Sequence, residues 1–155
     1  MAETLGSLCD KLTIVKLKQW HSTASERLES LALQEKQLAT EIDEFVARAA
    51  RGETPLDRLT FAANKVFNEQ ANVVSEIRGT IAHVFSELAE INCQLWHEVD
   101  KGYEIAKVPP EEKDGLIKQL ALLNLQRNQC IDLIDRSFRD LIAQSATQDT
   151  KSAKT

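Results

Sequence analysis

The chain has 155 residues, of which 43% are hydrophobic and 28% are charged, and its formal net charge at pH 7 is −5. A chain of this length is expected to form one domain with a sizeable core, and its five Gly and three Pro are too few for an all-β sandwich. The negative charge argues against a nucleic-acid partner, because phosphates are bound by basic patches.

The N-terminal segment "MAETLGSLCD" has neither the basic region nor the apolar stretch of a signal peptide. No run approaches the roughly 20 apolar residues of a membrane span. The three cysteines lie far apart on helical patterns, and we expect them to be reduced, buried thiols. We therefore expect a cytoplasmic protein. Because no Cys-x-x-Cys or His-x-x-x-His spacing occurs, we expect no metal site and no other cofactor.

The first predicted helix covers residues 4–50. Its apolar residues recur in alternating steps of three and four, as from Leu28 to Phe45, with one gap at Glu35. Such steps are typical of the coiled-coil-like packing of a helical bundle. The polar stretch "HSTAS" at 21–25 is where we expect this long helix to kink or break.

The second predicted helix covers residues 55–101. Gly52 can end the first helix, Thr54 is a favourable cap, and Pro55 fits the first helical position. The apolar steps continue on both sides of Gly79, where we expect a second kink or break.

The third predicted helix covers residues 110–145, and Pro109 and Pro110 mark its start. Residues 146–155 are polar and are expected to form a disordered tail. Short turns make neighbouring helices antiparallel. The sequence therefore predicts an all-α fold, an antiparallel bundle of three long helices in one domain over 1–145. Kinks or breaks would raise the number of helices to four or five.

Polar residues interrupt the apolar stripes of these helices. Burying a charge is costly unless it is paired, so such residues either form an internal network or line a pocket. The antiparallel alignment brings His21 and Arg127 to one level in the middle of the bundle. Arg127 stands where the apolar period expects Leu, and no acid on the inner faces lies clearly at its level. The candidate ligand-binding residues are therefore His21, Asn124, Arg127 and Asn128, and the expected ligand is a small anionic or sugar-like molecule.

The same alignment predicts an ion pair between the second and third helices. It sets Arg78 opposite residue 133, within one turn of Asp132 and Asp135. We expect Arg78 to meet one of these two carboxylates in a structural pair.

The first two predicted helices extend past the reach of the third. The apolar residues on their hairpin then need another partner, which predicts a homo-oligomer. These residues are Leu31, Leu38, Phe45, Leu59 and Val66.

Three stretches together resemble a known family. They are "LGSLCDKLTIVKLKQWH" (5–21), "INCQLWHEVD" (91–100) and "LNLQRNQCIDLID" (123–135). They resemble an uncharacterised family of bacterial all-helical proteins, a domain of unknown function with the motifs Asp-Lys-Leu-[ST]-Ile, Asn-x-x-Leu-Trp and Arg-Asn-x-x-Ile. The matching positions add a secondary polar cluster to the candidate residues: Asp10, Lys11, Asn92, Trp96 and Asp100. This chain departs from the pattern at Val99–Asp100, where Glu-Asp is expected.

The resemblance implies no activity. Genes of this family often lie near glycan or glycosyltransferase genes, which suggests a connection with glycan or sugar metabolism.

No catalytic constellation stands out in the sequence. None of the three histidines has the Glu three residues before it that a ferritin-like di-iron bundle needs. Glu87 with Glu90, and Asp132 with Asp135, have the spacing of acids that hold Mg²⁺ on a substrate phosphate. Acids at this spacing are also common on solvated helix faces. The sequence therefore predicts a binding or scaffold module, and the alternative is a hydrolase or transferase acting on a nucleotide or sugar phosphate.

Overall fold

The computed structural model describes residues 3–61 and 77–152. For residues 148–152 it describes the backbone alone. Within these residues the chain is helical and contains no strand, so the all-α prediction is confirmed. The α-helices in these ranges are α1 (Leu5–Trp20), α2 (Ser25–Ala50), α3 (Ile81–Tyr103) and α4 (Pro110–Ser152). Two short 3-10 turns accompany them, at Leu56–Arg58 and Ile105–Lys107.

The helices belong to two compact units. Unit 1 consists of residues 1–62 and 131–155 and holds α1, α2 and the last part of α4. Unit 2 consists of residues 63–130 and holds α3 and the first part of α4. The single domain predicted over 1–145 and the antiparallel bundle of the whole chain therefore stay predictions.

The predicted break at 21–25 is confirmed, but the single helix expected over 4–50 is wrong. α1 ends at Trp20, and Ala24 has an extended backbone (φ −77°, ψ 123°) before α2 begins. The polar loop does more than interrupt one helix, because α2 runs back alongside α1.

Contacts across this turn join α2 to α1. Glu35 of α2 accepts a hydrogen bond from the Lys16 ammonium (3.0 Å) and another from the Gln19 amide (2.8 Å), both on α1. These bonds, first that from Gln19, lower the pKa of the Glu35 carboxyl. The gap that Glu35 leaves in the apolar steps of the sequence therefore has a structural reason, and α1 and α2 form an antiparallel pair.

The start of α1 is held by a carboxylate of α4. The Gly6 N–H donates to Oδ1 of Asp135 (2.7 Å), and the Thr4 hydroxyl donates to the same carboxylate. The Thr4 hydroxyl also accepts a hydrogen bond from the Ser7 N–H (3.4 Å), as a helix cap does. Thr4 and Asp135 are both buried. These contacts satisfy N–H groups that the first turn of a helix leaves without a partner, and they place a carboxyl group at its positive end.

The backbones of α1 and α4 approach closely at Gly6. A Cβ atom added to Gly6 would lie 2.5 Å from the carbonyl oxygen of Ile131 and 3.0 Å from Oδ1 of Asp135. Because the first of these neighbours is backbone, it cannot turn aside as a flexible side chain would. Only glycine fits this contact without a shift of α1.

Aromatic packing joins α2 to the same part of α4. The ring centroids of Phe45 and Phe138 lie 6.1 Å apart at an interplanar angle of 39°, within the range of favourable aromatic pairs. Both rings are buried. The last part of α4 therefore packs against both helices of the α1–α2 pair.

Three of the five apolar residues that favour self-association are covered within unit 1. Leu31, Phe45 and Leu59 are buried within unit 1, so they need no second chain to cover them. Leu38 is half-buried, and Val66 lies outside the described residues. A homo-oligomer stays a prediction without this support.

The prediction of a helix from Pro55 is wrong for residues 55–61, which form no α-helix. Gly52 does end α2, with a φ of +72°, but only a 3-10 turn follows Pro55. Leu59, directly after that turn, is completely buried. The packing of Leu59 competes with the local capping signal, and tertiary context commonly overrides such signals. Residues 62–76 of the predicted helix lie outside the described residues.

α3 begins at Ile81, close behind Gly79, in agreement with the interruption predicted there. Gly79 has a φ of +146°, and the Thr80 hydroxyl caps the helix by accepting a hydrogen bond from the His83 N–H (3.3 Å). The buried residues of α3 include four in the predicted steps of four and three: Val84, Leu88, Ile91 and Leu95.

α4 begins at Pro110, as predicted, and continues to Ser152. Residues 146–152, which were expected to belong to a disordered tail, continue this helix beyond its predicted end at 145. The polar composition of the segment therefore does not end the helix.

Candidate functional site

The predicted ligand-binding residues belong to different units. His21 directly follows α1 in unit 1 and is exposed. The other three, Asn124, Arg127 and Asn128, are half-buried on the part of α4 that belongs to unit 2. The side-chain amide of Asn124 donates to the Leu120 carbonyl one turn earlier (3.0 Å). A common pocket for these residues stays a prediction.

The secondary polar cluster is divided in the same way. Asp10 is buried and Lys11 is exposed, both on α1 in unit 1. On α3 in unit 2, Asn92 is buried, Trp96 half-buried and Asp100 exposed. The cluster as a whole stays a prediction.

Asp135 has a role that the sequence reasoning missed, because it holds the start of α1. Burial raises its pKa, the hydrogen bonds from Gly6 and Thr4 lower it, and the nearby Asp132 raises it again. The net effect is a pKa above the usual value. Arg78 is exposed and belongs to unit 2, so its pairing with Asp132 or Asp135 stays a prediction.

Unit 1 contains a cleft of about 520 Å³, which we call the unit 1 cleft. None of the residues predicted to bind a ligand lines it. It is lined by the start of α1, the second half of α2 and residues 53–58. Its volume lies in the range of about 300–1,000 Å³ that is usual for small-molecule sites. Six charged residues line it: Glu3, Glu41, Glu44, Arg48, Glu53 and Arg58.

One face of α2 forms a wall of the cleft. Glu41, Glu44, Phe45 and Arg48 are separated by steps of three, one and three, which places them on neighbouring positions of one helical face. Leu8 of α1, Phe45 of α2 and Pro55 supply the apolar part of the lining; the first two are buried and Pro55 is exposed. The cleft therefore combines an apolar base with charged groups along its sides.

The turn after α2 brings the opposite wall into place. The Gly52 N–H donates to the Ala49 carbonyl (3.0 Å), and the Glu53 N–H donates to the Arg48 carbonyl (3.0 Å). This is the Schellman arrangement, and it needs the positive φ that glycine adopts without steric cost. The chain reverses there, so that residues 53–58 line the cleft together with α2.

Two of the six charges are already neutralised by neighbouring residues. Glu3 accepts hydrogen bonds from the Lys11 ammonium and the Ser7 hydroxyl, both at 2.6 Å. Partial burial raises the pKa of Glu3, but these bonds outweigh it and lower the pKa. Glu53 accepts hydrogen bonds from the guanidinium of Arg51, including one of 3.0 Å from Nη2. These bonds keep the pKa of Glu53 below its usual value.

The other four charges form no such bond, although Arg48 lies close enough to Glu53 to lower the pKa of that carboxyl. In the part of the chain that the structure describes, the side chains of Glu41, Glu44, Arg48 and Arg58 form no hydrogen bond or ion pair. Two carboxylates and two guanidinium groups are thus available to a molecule in the cleft.

The Cys9 thiol is not activated. Burial raises the pKa of Cys9 to about 11, with further contributions from Asp135 and then Asp10. Such a thiol is not ionised at neutral pH, and the thiolate is the reactive form. Cys130 is buried as well, whereas Cys93 is exposed.

A smaller cavity of about 260 Å³ lies in unit 2, lined by the end of α3, by Val108 and by the start of α4. Two of its charged groups, Glu98 and Lys101, pair with each other at 2.7 Å. It is half the size of the unit 1 cleft.

Over residues 3–61 and 77–152, no helix is long and apolar enough to cross a membrane. In the same ranges, no three His, Cys, Asp or Glu side chains form a group that could hold a metal ion. No family model, curated protein or solved structure matches the chain. The resemblance to the bacterial helical family therefore stays a prediction.

Proposed function

We propose that the chain is a binding module that takes up a small molecule in the unit 1 cleft. The observation that carries this proposal is a cleft of about 520 Å³ whose lining contains four charged side chains without a hydrogen bond or ion pair among the described residues. A concave site with an apolar base and a few polar groups is the common form of a ligand site.

The composition of the cleft favours recognition of a ligand. Its described lining supplies carboxylates, guanidinium groups and apolar surface, with Thr54 as its only hydroxyl. Charged groups of this kind orient a ligand, and the apolar base contributes affinity.

This proposal changes the location that the sequence predicted for the ligand. The unit 1 cleft does not include His21, Asn124, Arg127 or Asn128. The cytoplasmic location, the antiparallel arrangement of three long helices and the connection with glycan metabolism are not needed for the proposal, and we keep them as expectations.

A substitution that fills the cleft tests the proposal. Glu41→Trp places a large side chain in the lining, and Glu29→Trp is its matched control, because Glu29 is an exposed residue of the same helix outside the cleft. We would screen amines, carboxylates, amino acids, short peptides, sugars and sugar phosphates against the full chain by ligand-detected NMR. We expect at least one class to bind the wild type and Glu29→Trp but not Glu41→Trp.

Two results would contradict the proposal. One is binding that Glu41→Trp leaves unchanged, which would place the site elsewhere. The other is the absence of binding in every class. Release of phosphate from a nucleotide or sugar phosphate in the presence of Mg²⁺ would instead favour the enzymatic alternative.

A further inference from the structure

We infer that the unit 1 cleft selects a zwitterionic ligand, a peptide of two or three residues with an ammonium group, a carboxylate and an apolar side chain. The inference rests on the proposed function and specifies its ligand class. It follows from the charges left over in the cleft, from their order along α2 and from the apolar base.

The charges left over are equal in number and opposite in sign. Glu3 is neutralised by Lys11 and Glu53 by Arg51, which leaves Glu41 and Glu44 against Arg48 and Arg58. A ligand with a single kind of charge would be attracted by one pair and repelled by the other. A molecule that carries both charges can satisfy both pairs at once.

The order of the charges along α2 sets the length of the ligand. Glu41 and Glu44 precede Arg48, and a rise of 1.5 Å per residue separates them from Arg48 by roughly 6–10 Å along the helix axis. A single amino acid has its two charged groups closer together than this. An extended chain spans about 3.3–3.6 Å per residue, so two or three residues cover the distance.

The apolar base lies between these two ends. Phe45 follows Glu44 directly and precedes Arg48, and Leu8 joins it from α1. A peptide with its ammonium near Glu41 and Glu44 and its carboxylate near Arg48 would place its side chains against this surface. Leucine or phenylalanine side chains suit this surface, because the apolar surfaces that touch are then removed from water.

Four related probes separate the contributions of the two charges. They are L-leucyl-L-leucine, its N-acetyl derivative with only the carboxylate, its C-terminal amide with only the ammonium, and the N-acetylated amide with neither. We would titrate each into the full chain by isothermal calorimetry at low salt. We expect leucyl-leucine to bind about five-fold more tightly than either singly charged probe, the upper range for exposed ion pairs. The uncharged probe should bind most weakly.

Paired variants assign each charge to its partner. Glu41→Gln with Glu44→Gln should abolish the advantage of the free ammonium, so that leucyl-leucine and its N-acetyl derivative bind alike. Arg48→Gln with Arg58→Gln should abolish the advantage of the free carboxylate in the same way. The control variants are Glu29→Gln and Arg27→Gln on α2, both outside the cleft, and these should leave both preferences unchanged.

The outcomes separate this inference from the proposed function. If the amide binds as tightly as leucyl-leucine and Glu41→Trp abolishes its binding, the cleft is a ligand site but the zwitterion is wrong. If leucyl-leucine binds Glu41→Trp as well as it binds the wild type, the cleft itself is wrong. The inference is overturned if none of the four probes binds the wild-type protein and a cooperative thermal unfolding transition shows that this protein is folded. The broader ligand screen then decides the proposed function.

Discussion

Replacing Gly6 by Ala should destabilise the protein markedly. The new methyl group would lie 2.5 Å from the Ile131 carbonyl oxygen, so α1 must move away from α4. That shift costs about 1–3 kcal/mol in packing. It also lengthens or breaks the hydrogen bond from the Gly6 N–H to Asp135, which is worth about 1.5–3 kcal/mol when the acceptor is charged. The better helix propensity of Ala returns only about 0.5–1 kcal/mol. We expect a net loss of roughly 2–5 kcal/mol from these terms.

The assay is urea unfolding of the full chain, followed by circular dichroism at 222 nm. With a slope of about 1–3 kcal/mol per molar urea, such a loss moves the midpoint by about one molar or more. Gly115→Ala is the matched control, because Gly115 is also helical but a Cβ there meets nothing within 4 Å. The control should be stabilised by about 0.5–1 kcal/mol. If Gly6→Ala and Gly115→Ala shift the midpoint alike, the close contact between α1 and α4 is refuted.

Three further predictions concern single side chains. Because the pKa of Asp135 lies above its usual 3.8, the fold favours the protonated form. The wild type should therefore lose stability relative to Asp135→Asn as pH rises from about 4 through that raised pKa. The free energies of unfolding would be measured in urea at each pH, and an equal dependence on pH in the two proteins would contradict this prediction. Ellman's reagent should modify Cys93 rapidly and Cys9 and Cys130 only after unfolding, and rapid reaction of more than one thiol would contradict it. Trp20 is 87% exposed, so Trp20→Phe should change stability by less than about 0.5 kcal/mol and remove most of the acrylamide-quenchable fluorescence. A larger loss of stability would show that the indole packs in the fold.

Local signals in the sequence predict the helices better than their arrangement. The start of α4 at Pro110 and the interruption at Gly79 follow from the conformational preferences of proline and glycine. The polar loop after Trp20 predicts that α1 stops. The reversal of α2 depends on contacts such as the one between Gln19 and Glu35. The spacing of apolar residues within one segment does not show which distant residues will meet.

The candidate site was harder to predict for the same reason. The carboxylate that holds α1 lies 129 residues from its partner, Gly6, and belongs to another helix. The unit 1 cleft combines side chains of three segments, and its opposite wall includes a 3-10 turn at Leu56–Arg58, where the sequence predicts an α-helix. The alignment used to place Arg127 assumed that residues 4–50 form one helix, so it could not find the cleft.

Binding in the unit 1 cleft is tested most directly by a chemical-shift map. We would titrate the ¹⁵N-labelled full chain with L-leucyl-L-leucine and follow its backbone amide signals. We predict saturable changes concentrated at Leu8, at residues 41–48 and at residues 53–58. Changes centred on Asn124–Asn128, or no saturable change in the three predicted segments at millimolar peptide, would contradict a site in the cleft.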